Sequence, residues 1–486
     1  MHATPPPGLD ALEARLAQDL AWLELPAKPW MIKKTVNGQP VIDVAIIGAG
    51  MAGLTVGTAL SHLGVSPVLF DRAPLGQEGP WVTTARMETL RSPKQLTGPA
   101  LGLPALTFRA WFEAQFGLEA WTALDKIPRT QWMDYLRWYR KVTRLDIRNE
   151  HTVESVKPLS DGHVELLVRG PTGVEVVLAR RLVIASGRDG LGGPSLPAFA
   201  AKVPDHQRAH SSDVLDYRTL AGKRVGVIGA GASSMDSAAT ALECGAKSVD
   251  MLIRRADIPR VNKSKGAGNP GLTHGHLALP DEWKWRIRHY INEQQVPPPR
   301  GSTLRVSAFP NARFNVGCAI EDIHVNEDGS LSVHTTKGVF DLDFLIFATG
   351  FKIDWYTRPE YKILAQCHRA WKDRYQPEPG QEDQELADSP DLGPVFELQE
   401  KYPGQCPGLS RVHVFCYPAA LTHGTVSGDI PAISDGAKRL AQGLVSLLYQ
   451  EDVEAHFENL KRYAEPELLG DEWTPAPDRS STVQIT

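Results

Sequence analysis

Two short stretches of this 486-residue chain carry glycines at spacings that can hold phosphate: "GAGMAG" at 48–53 and "GAGASSMD" at 229–236. In the first, Gly48, Gly50 and Gly53 follow the apolar run "DVAIIG" and precede a helix-compatible segment. The chemistry is the cradling of a dinucleotide pyrophosphate. The first glycine permits a tight turn, the second lets backbone approach the phosphates, and the third lets the helix pack on the strand. A helix beginning there turns free N–H groups and the positive end of its dipole toward the anion. The next strand, "SPVLFD", ends in Asp71, followed by Arg72. A carboxylate at that place can accept hydrogen bonds from ribose hydroxyls.

The second loop keeps Gly229 and Gly231, presents Ser233, and has Ser234 in place of the third glycine. Serine is small enough for near-normal helix–strand packing. Its following strand, "SVDMLIRR", ends in Arg254 and Arg255 instead of an acid. An acid there would repel a 2′-phosphate, whereas a guanidinium grips one with two charge-assisted hydrogen bonds. Asp71 therefore suits the free ribose of FAD, and Arg254 suits NADPH. Two different dinucleotides on one chain make a hydride relay from nicotinamide to flavin.

The elements that must position these loops recur in order. Val41 to Arg72 reads strand, glycine turn, helix, strand. "HVELLVRGPTGVEVVLARRLVIASG" (163–187) reads as two short strands around a Pro-Thr-Gly turn, then a buried strand. The same grammar returns in "LSVHTTKGVFDLDFLIFATG" (331–350), which ends in Thr349 and Gly350. One architecture used twice predicts an α/β protein with two dinucleotide-binding, Rossmann-like domains, the NADPH domain nested within a discontinuous FAD domain. The expected boundaries are an extension and linker at 1–40, the FAD domain at 41–218 plus 331–460, the NADPH domain at 219–330, and a tail at 461–486. The extension should hold an amphipathic helix at 9–25. The aromatic-rich segment 110–140 should be packed helices with mostly core aromatics, 256–316 a less regular stretch, and 432–450 a helix.

Composition bounds the function. The apolar fraction of 42% and charged fraction of 22% are those of a globular protein. A net charge of −5 without a basic block argues against nucleic-acid binding. No secretory signal and no transmembrane segment are expected. The five cysteines are far apart in sequence with no CxxC pair, which points to a reducing compartment, the cytoplasm, and to no metal site.

Taken together, "GAGMAG" (48–53), "GAGASSMD" (229–236), "LIRR" (252–255) and "FATGF" (347–351), with "IASG" (184–187), resemble the single-component (class B) flavin-dependent monooxygenases. These comprise the flavin-containing, Baeyer–Villiger and N-hydroxylating enzymes. "LPDEWKWRIRHYINEQQVPPP" (279–299) and "AHSSDVLDY" are similar to a bacterial branch of FAD-dependent urate hydroxylases. The resemblance runs from about 41 to 450. It implies FAD and NADPH as cofactors, and O₂ and a small molecule as the other reactants. A C4a-(hydro)peroxyflavin would insert one oxygen atom, with N-hydroxylation, Baeyer–Villiger oxidation and heteroaromatic hydroxylation all open. The family fingerprint FxGxxxHxxxY, or with Trp for Tyr, places His210 on the nicotinamide side as the catalytic candidate. Here Pro204 and His206 depart from that pattern, Val214 holds the aromatic place, and Tyr217 follows. "GPWVTTARMETLRSPK" (79–94) resembles the segment near the flavin ring, giving Trp81, Arg91, Ser92 and Lys94 as candidates. Gly428-Asp429 is similar to the pair aimed at the ribityl chain.

The substrate is not legible. Candidate pocket walls are 81–140, 262–315 and 417–427, and Arg313, Lys263 and Lys265 would suit an anion. A homodimer is left open. A disulfide-type reductase of this fold needs a close cysteine pair, and none is visible. A flavin reductase without oxygen insertion stays as the alternative, and a non-enzymatic scaffold is disfavoured by two intact loops.

Overall fold

A computed structural model describes residues 7–478; positions 1–6 of the expected extension and 479–486 of the expected tail lie outside the described residues. The extension begins with the helix Gly8–Trp22, which buries Leu12 and Leu16. The short strand β1 (Thr35–Val36) pairs with the start of β2 (Gln39–Ile47), the apolar run ahead of the first glycine loop. Val44, Ala45 and Ile46 of β2 have no solvent exposure, as expected of a parallel strand covered on both faces. The helix Met51–His62 and β3 (Val68–Phe70) complete the first unit, followed by the helices Phe108–Ala123 and Arg129–Thr143.

β4 (Asp146–Arg148), β5 (Thr152–Pro158), β6 (Val164–Gly170) and β7 (Gly173–Ile184) give a sheet of order β4-β3-β2-β7-β6-β5. The expected hairpin strand and buried strand are here one 12-residue strand, β7. Its first half pairs antiparallel with β6 and its second half parallel with β2.

After β8 (Gly192–Pro194) the chain builds a second parallel sheet. It contains β9 (Arg208–His210), β10 (Arg224–Ile228), β11 (Ser248–Ile253) and β12 (Ala312–Val316). β13 (Ile320–Val325), β14 (Leu331–Thr335) and β15 (Gly338–Leu342) form an antiparallel meander, and β16 (Phe344–Phe347) returns to the parallel sheet. The order β12-β11-β10-β16-β9 is that of a doubly wound sheet. Here hairpin and buried strand are separate, because Asp343 breaks them by accepting the backbone N–H of Arg224 at 2.7 Å.

The two faces of this sheet are filled differently. Val225 and Val227 face Met235, Ala238 and Leu242 of the helix Ala232–Glu243, while Ile228, Leu345 and Phe347 face the meander's Leu331, Val333 and Leu342. Strand β9, before position 219, and strand β16, after 330, belong to this sheet by parallel pairing, β16 lying between β10 and β9.

β17 (Phe351–Ile353) pairs antiparallel with β8, so the chain's entry into the second sheet and its exit form one two-stranded ribbon. β18 (Val412–Val414) then joins the first sheet beside β7. The stretch expected to be irregular contains the helices Asp281–Gln294 and Arg300–Ser307, bounded by Pro280 and Pro297–Pro299. Its flanking prolines obscured the helical interior. The chain divides into two compact units at Val445/Ser446, within the helix Ile433–Glu451. In the second unit the helix Val453–Arg462 follows, with the His456 ring stacked on Tyr449 at 4.5 Å.

Candidate active site

Both glycine loops leave the carboxyl end of a central parallel strand, where the chain turns to opposite sides of the sheet. In the first, Gly48 has φ +102°, and a Cβ there would approach the Ala185 carbonyl oxygen to 2.6 Å. A Cβ on Gly53 would overlap the Gly48 carbonyl. Gly50, by contrast, faces space, with Gly79 Cα the nearest atom at 3.8 Å. It caps the helix Met51–His62 without any side-chain bond, so the first-turn N–H groups keep no protein cap. This cradle fits a pyrophosphate.

The second loop repeats the arrangement. Gly229 has φ +126°, and its Cβ would approach the Ala348 carbonyl oxygen to 2.7 Å, while Gly231 has nothing within 4 Å. The Ser234 hydroxyl donates to the Gly231 carbonyl at 2.6 Å, and Ser233 is exposed on the first helical turn. Each loop thus leans on the small-residue turn of its own sheet, "IASG" for the first and "FATG" for the second. That contact is the physical reason the two stretches share a pattern.

Asp71 sits over the first loop. Its Oδ2 accepts the Ala49 N–H at 2.7 Å and its Oδ1 the Ala73 N–H at 2.8 Å. Burial raises its pKa, opposed by those two bonds. A carboxylate has capacity beyond two donors. Arg72 is exposed. At the matching place in the second unit, Arg255 donates to the Glu293 carbonyl at 3.1 Å. Arg254 is exposed and has no hydrogen bond or ion pair among the described residues.

Trp81 packs edge-on to Trp132 at 6.3 Å, beside Gly79 and hence beside Gly50. Arg91 and Ser92 lie on the bend that follows. Arg91 is open to water yet surrounded by protein, so desolvation lowers its pKa, while Asp236 on the second loop's helix raises it. Lys94 is turned away: its Nζ donates to the carbonyls of Trp121, Thr122 and Leu124. The Thr349 hydroxyl donates to the Ser195 carbonyl, and Gly350, at φ +82°, accepts from Ser195 N–H at 2.9 Å.

His210 ends β9 and is buried. Its Nδ1 meets the Ser212 hydroxyl at 2.7 Å, its Nε2 has no partner, and its ring stands edge-on to Phe351 at 5.4 Å. Burial lowers its pKa, against Asp213. Tyr217 is core, its hydroxyl 3.1 Å from Ser237 Oγ.

From Phe351 the site continues to the expected Asp429 through side chains the sequence does not single out, Arg188, Arg288 and Glu385, gathered around Tyr417. The Arg188 guanidinium, just after "IASG", lies 3.2 Å over the Tyr417 ring and 6.0 Å from that of Phe351. It pairs with Glu385 at 3.7 Å, and burial pushes its pKa down to about 10. Arg288, from the helix Asp281–Gln294, is buried and donates to the Tyr417 hydroxyl at 3.2 Å. Asp429 is open to water but has protein around it; desolvation raises its pKa, and Arg288 and Arg188 lower it. The signal available was Arg188 itself, placed at the end of a strand-turn already singled out.

Two expectations, on Arg313 and on the cysteines, are corrected. Arg313 lies on the edge strand β12, largely exposed, in an ion pair with Asp250 at 3.8 Å, so it does not wall a cleft. Lys263 and Lys265 are on the short helix Lys263–Ala267, where Lys263 lies 6.0 Å from the Tyr290 ring. The cysteines do include two that are near enough in space for one to act on the other's ionisation, Cys367 and Cys406. Both are buried, and burial pushes Cys406 up to about 12, so it is a protonated, poorly nucleophilic thiol.

Two phosphate cradles on two parallel sheets, joined across a cleft lined by charge, define an oxidoreductase with two dinucleotide-binding folds. Residues 45–267 match the pyridine nucleotide-disulphide oxidoreductase family. The chain is 37% identical to an FAD-dependent urate hydroxylase of Xanthomonas campestris pv. campestris over 97% of its own length and 99% of the relative's. Its fold is similar to the ornithine hydroxylase of Pseudomonas aeruginosa, with TM-score 0.65 and 17% identity, covering 83% of this chain and 98% of that one. It is also similar to the L-lysine 6-monooxygenase of Pseudomonas syringae, with TM-score 0.64 and 17% identity, covering 83% and 99%. The chain belongs to the single-component flavin-dependent monooxygenases, in the group that contains the urate hydroxylase. Among the described residues, no helix is long and apolar enough to cross a membrane.

Proposed function

We infer that the chain hydroxylates urate or a closely related oxopurine, using FAD, NADPH and O₂. The observation that carries this reading is the full-length 37% identity to an FAD-dependent urate hydroxylase. One oxygen atom enters the ring and the other leaves as water, with NADPH supplying two electrons. When bound, FAD supplies the redox centre between nicotinamide and O₂.

The chain's residues have divided tasks in this reading. Gly48, Gly50 and Gly53 hold the FAD pyrophosphate, and Asp71 faces its ribose. Gly229, Gly231, Ser233 and the first turn beyond them hold the NADPH pyrophosphate, and Arg254 takes the 2′-phosphate. The FAD portion comprises the sheet of β2, β7 and β18; the NADPH portion comprises β9 to β16. His210, at the junction beside Phe351 and Gly350, lies on the nicotinamide side. A cytoplasmic location belongs to the same reading, supported by five free cysteines. A homodimer is tested by light scattering.

The test is purified, FAD-loaded protein supplied with NADPH, O₂ and urate. Urate and NADPH should disappear one for one, with little hydrogen peroxide. NADPH oxidation that returns all of its electrons as peroxide, with urate untouched, would refute the substrate. Ornithine or lysine consumed instead would move the enzyme to N-hydroxylation.

A further inference from the structure

Arg288 is 6% exposed, yet among the described residues no carboxylate stands within ion-pair distance of it. Its Nε has no hydrogen-bond partner, and its one bond, from Nη2, goes to the neutral hydroxyl of Tyr417. Glu385, Asp429 and Asp383 act on it only from further away. A buried guanidinium held this way is costly, because its desolvation is not offset by a paired charge. The protein nevertheless aims it at a defined place: the same Tyr417 whose ring carries Arg188 on its face.

Arg188 fixes where that place is. It follows by three positions Ala185, whose carbonyl backs Gly48 of the first cradle. Charges that sense one another here are Arg91, Arg188 and Arg288 against Glu385, Asp429 and Asp383. Glu385 pairs with Arg188, and Asp383 accepts from the Leu386 N–H and the Asn292 side-chain amide, so Arg288 is left with no carboxylate in contact.

We propose that Arg288, together with Arg188 and Tyr417, is a receptor for the substrate as a planar monoanion, and that this subsite sets specificity. The unpartnered edge of Arg288, including Nε, donates to adjacent ring oxygen or deprotonated nitrogen. Arg188, flattened on Tyr417, leaves its opposite face for a conjugated ring, and Glu385 accepts from ring N–H groups. An oxopurine anion or another acidic imide ring meets these demands, and a cationic alkylamine is repelled. The inference rests on the proposed function in taking this cleft as the substrate end of the site.

The test uses oxidised, FAD-loaded protein titrated with urate and with a fully N-methylated xanthine that cannot ionise, reading the flavin absorbance change. Wild type should bind urate at least about tenfold more tightly than the neutral ring. Arg288→Gln should weaken urate about 30-fold, the loss of a charge-assisted bond, while affinity for the neutral ring shifts less than about twofold. Arg288→Lys should recover part of the loss. Melting temperature and flavin content report whether each variant folds. If Arg288→Gln does not fold, Arg188→Gln gives the same contrast, about tenfold against urate alone.

Equal urate affinity in wild type and a folded Arg288→Gln protein overturns the receptor. So does wild type that binds neither ring, or both equally. Urate bound tightly but never hydroxylated leaves the receptor standing and removes the proposed reaction. Urate hydroxylated with an unchanged KM in Arg288→Gln does the reverse.

Discussion

A Cβ on Gly53 would fall on the carbonyl oxygen of Gly48, so the helix beginning at Met51 touches the strand-end turn with no room for one methyl group. Gly57, one turn further on, differs in kind: its Cβ would meet only the flexible ends of Leu145 and Leu69. Gly53→Ala should therefore shift the loop, cost about 1–3 kcal/mol, and purify largely without flavin. Gly57→Ala should keep its colour. Absorbance and melting temperature of the two purified proteins decide it. A fully yellow Gly53→Ala protein with unchanged melting would remove the close approach from the cradle's design.

The two arginines after β11 should separate in function. Arg254 is exposed with no partner among the described residues, whereas Arg255 is tied to the Glu293 carbonyl. Arg254→Ala should raise KM for NADPH about tenfold or more and leave NADH nearly unaffected, since only NADPH carries the 2′-phosphate. Arg255→Ala should have the smaller effect. Equal losses for both cofactors in Arg254→Ala would take the 2′-phosphate away from it.

Acid should destabilise the chain through two buried histidines. His423 donates from Nε2 to the Gly393 carbonyl at 3.0 Å and stacks on Phe396 at 3.5 Å; His413 donates from Nδ1 to the Val395 carbonyl at 2.7 Å. Desolvation holds both pKa values at about 3. In the unfolded chain each histidine gains its proton near pH 6.5, whereas in the folded chain it stays neutral until about pH 3. Stability is therefore full above pH 6.5 and falls as pH drops toward 3. Each histidine contributes up to about 1.4 kcal/mol per pH unit. Melting temperatures between pH 7 and 4.5 should show a flatter slope for His423→Gln than for wild type. Parallel slopes would assign acid sensitivity to other groups.

Much of this architecture is legible in the sequence, because each loop encodes a steric demand. Gly48 and Gly229 must turn with positive φ, and Gly53 or Ser234 must be small at a helix–strand contact. These demands depend on local neighbours, so they leave a local pattern. The arginine cleft is different. Arg188, Arg288, Glu385 and Tyr417 come from four segments separated by long stretches of chain, and no spacing rule joins them. Arg313, Lys263 and Lys265 had equal claims by residue type until the fold placed Arg313 on an outer strand. The helix Asp281–Gln294 was missed because the prolines around it outweighed its own pattern. The proximity of Cys367 and Cys406 was invisible for the same reason as the cleft: it is made by tertiary folding alone.

The ribbon of β8 and β17 has a mechanical consequence. A body hung from a single strand can swivel about any axis, but one hung from two paired strands resists twist and shear. Here the pairing of Gly192–Pro194 with Phe351–Ile353 is extended by Ser195, bonded to both Thr349 and Gly350. Arg358 clamps its other side, donating to the Gly192 carbonyl at 2.8 Å and the Asp189 carbonyl at 2.7 Å. The second sheet is thus tied to the first through two paired strands, and again through Arg305, which meets Glu88 at 3.5 Å and the Arg86 carbonyl at 3.4 Å. Arg188 and Asp189 directly precede the ribbon, so the charged cleft is anchored at that end on both backbone and side-chain bonds.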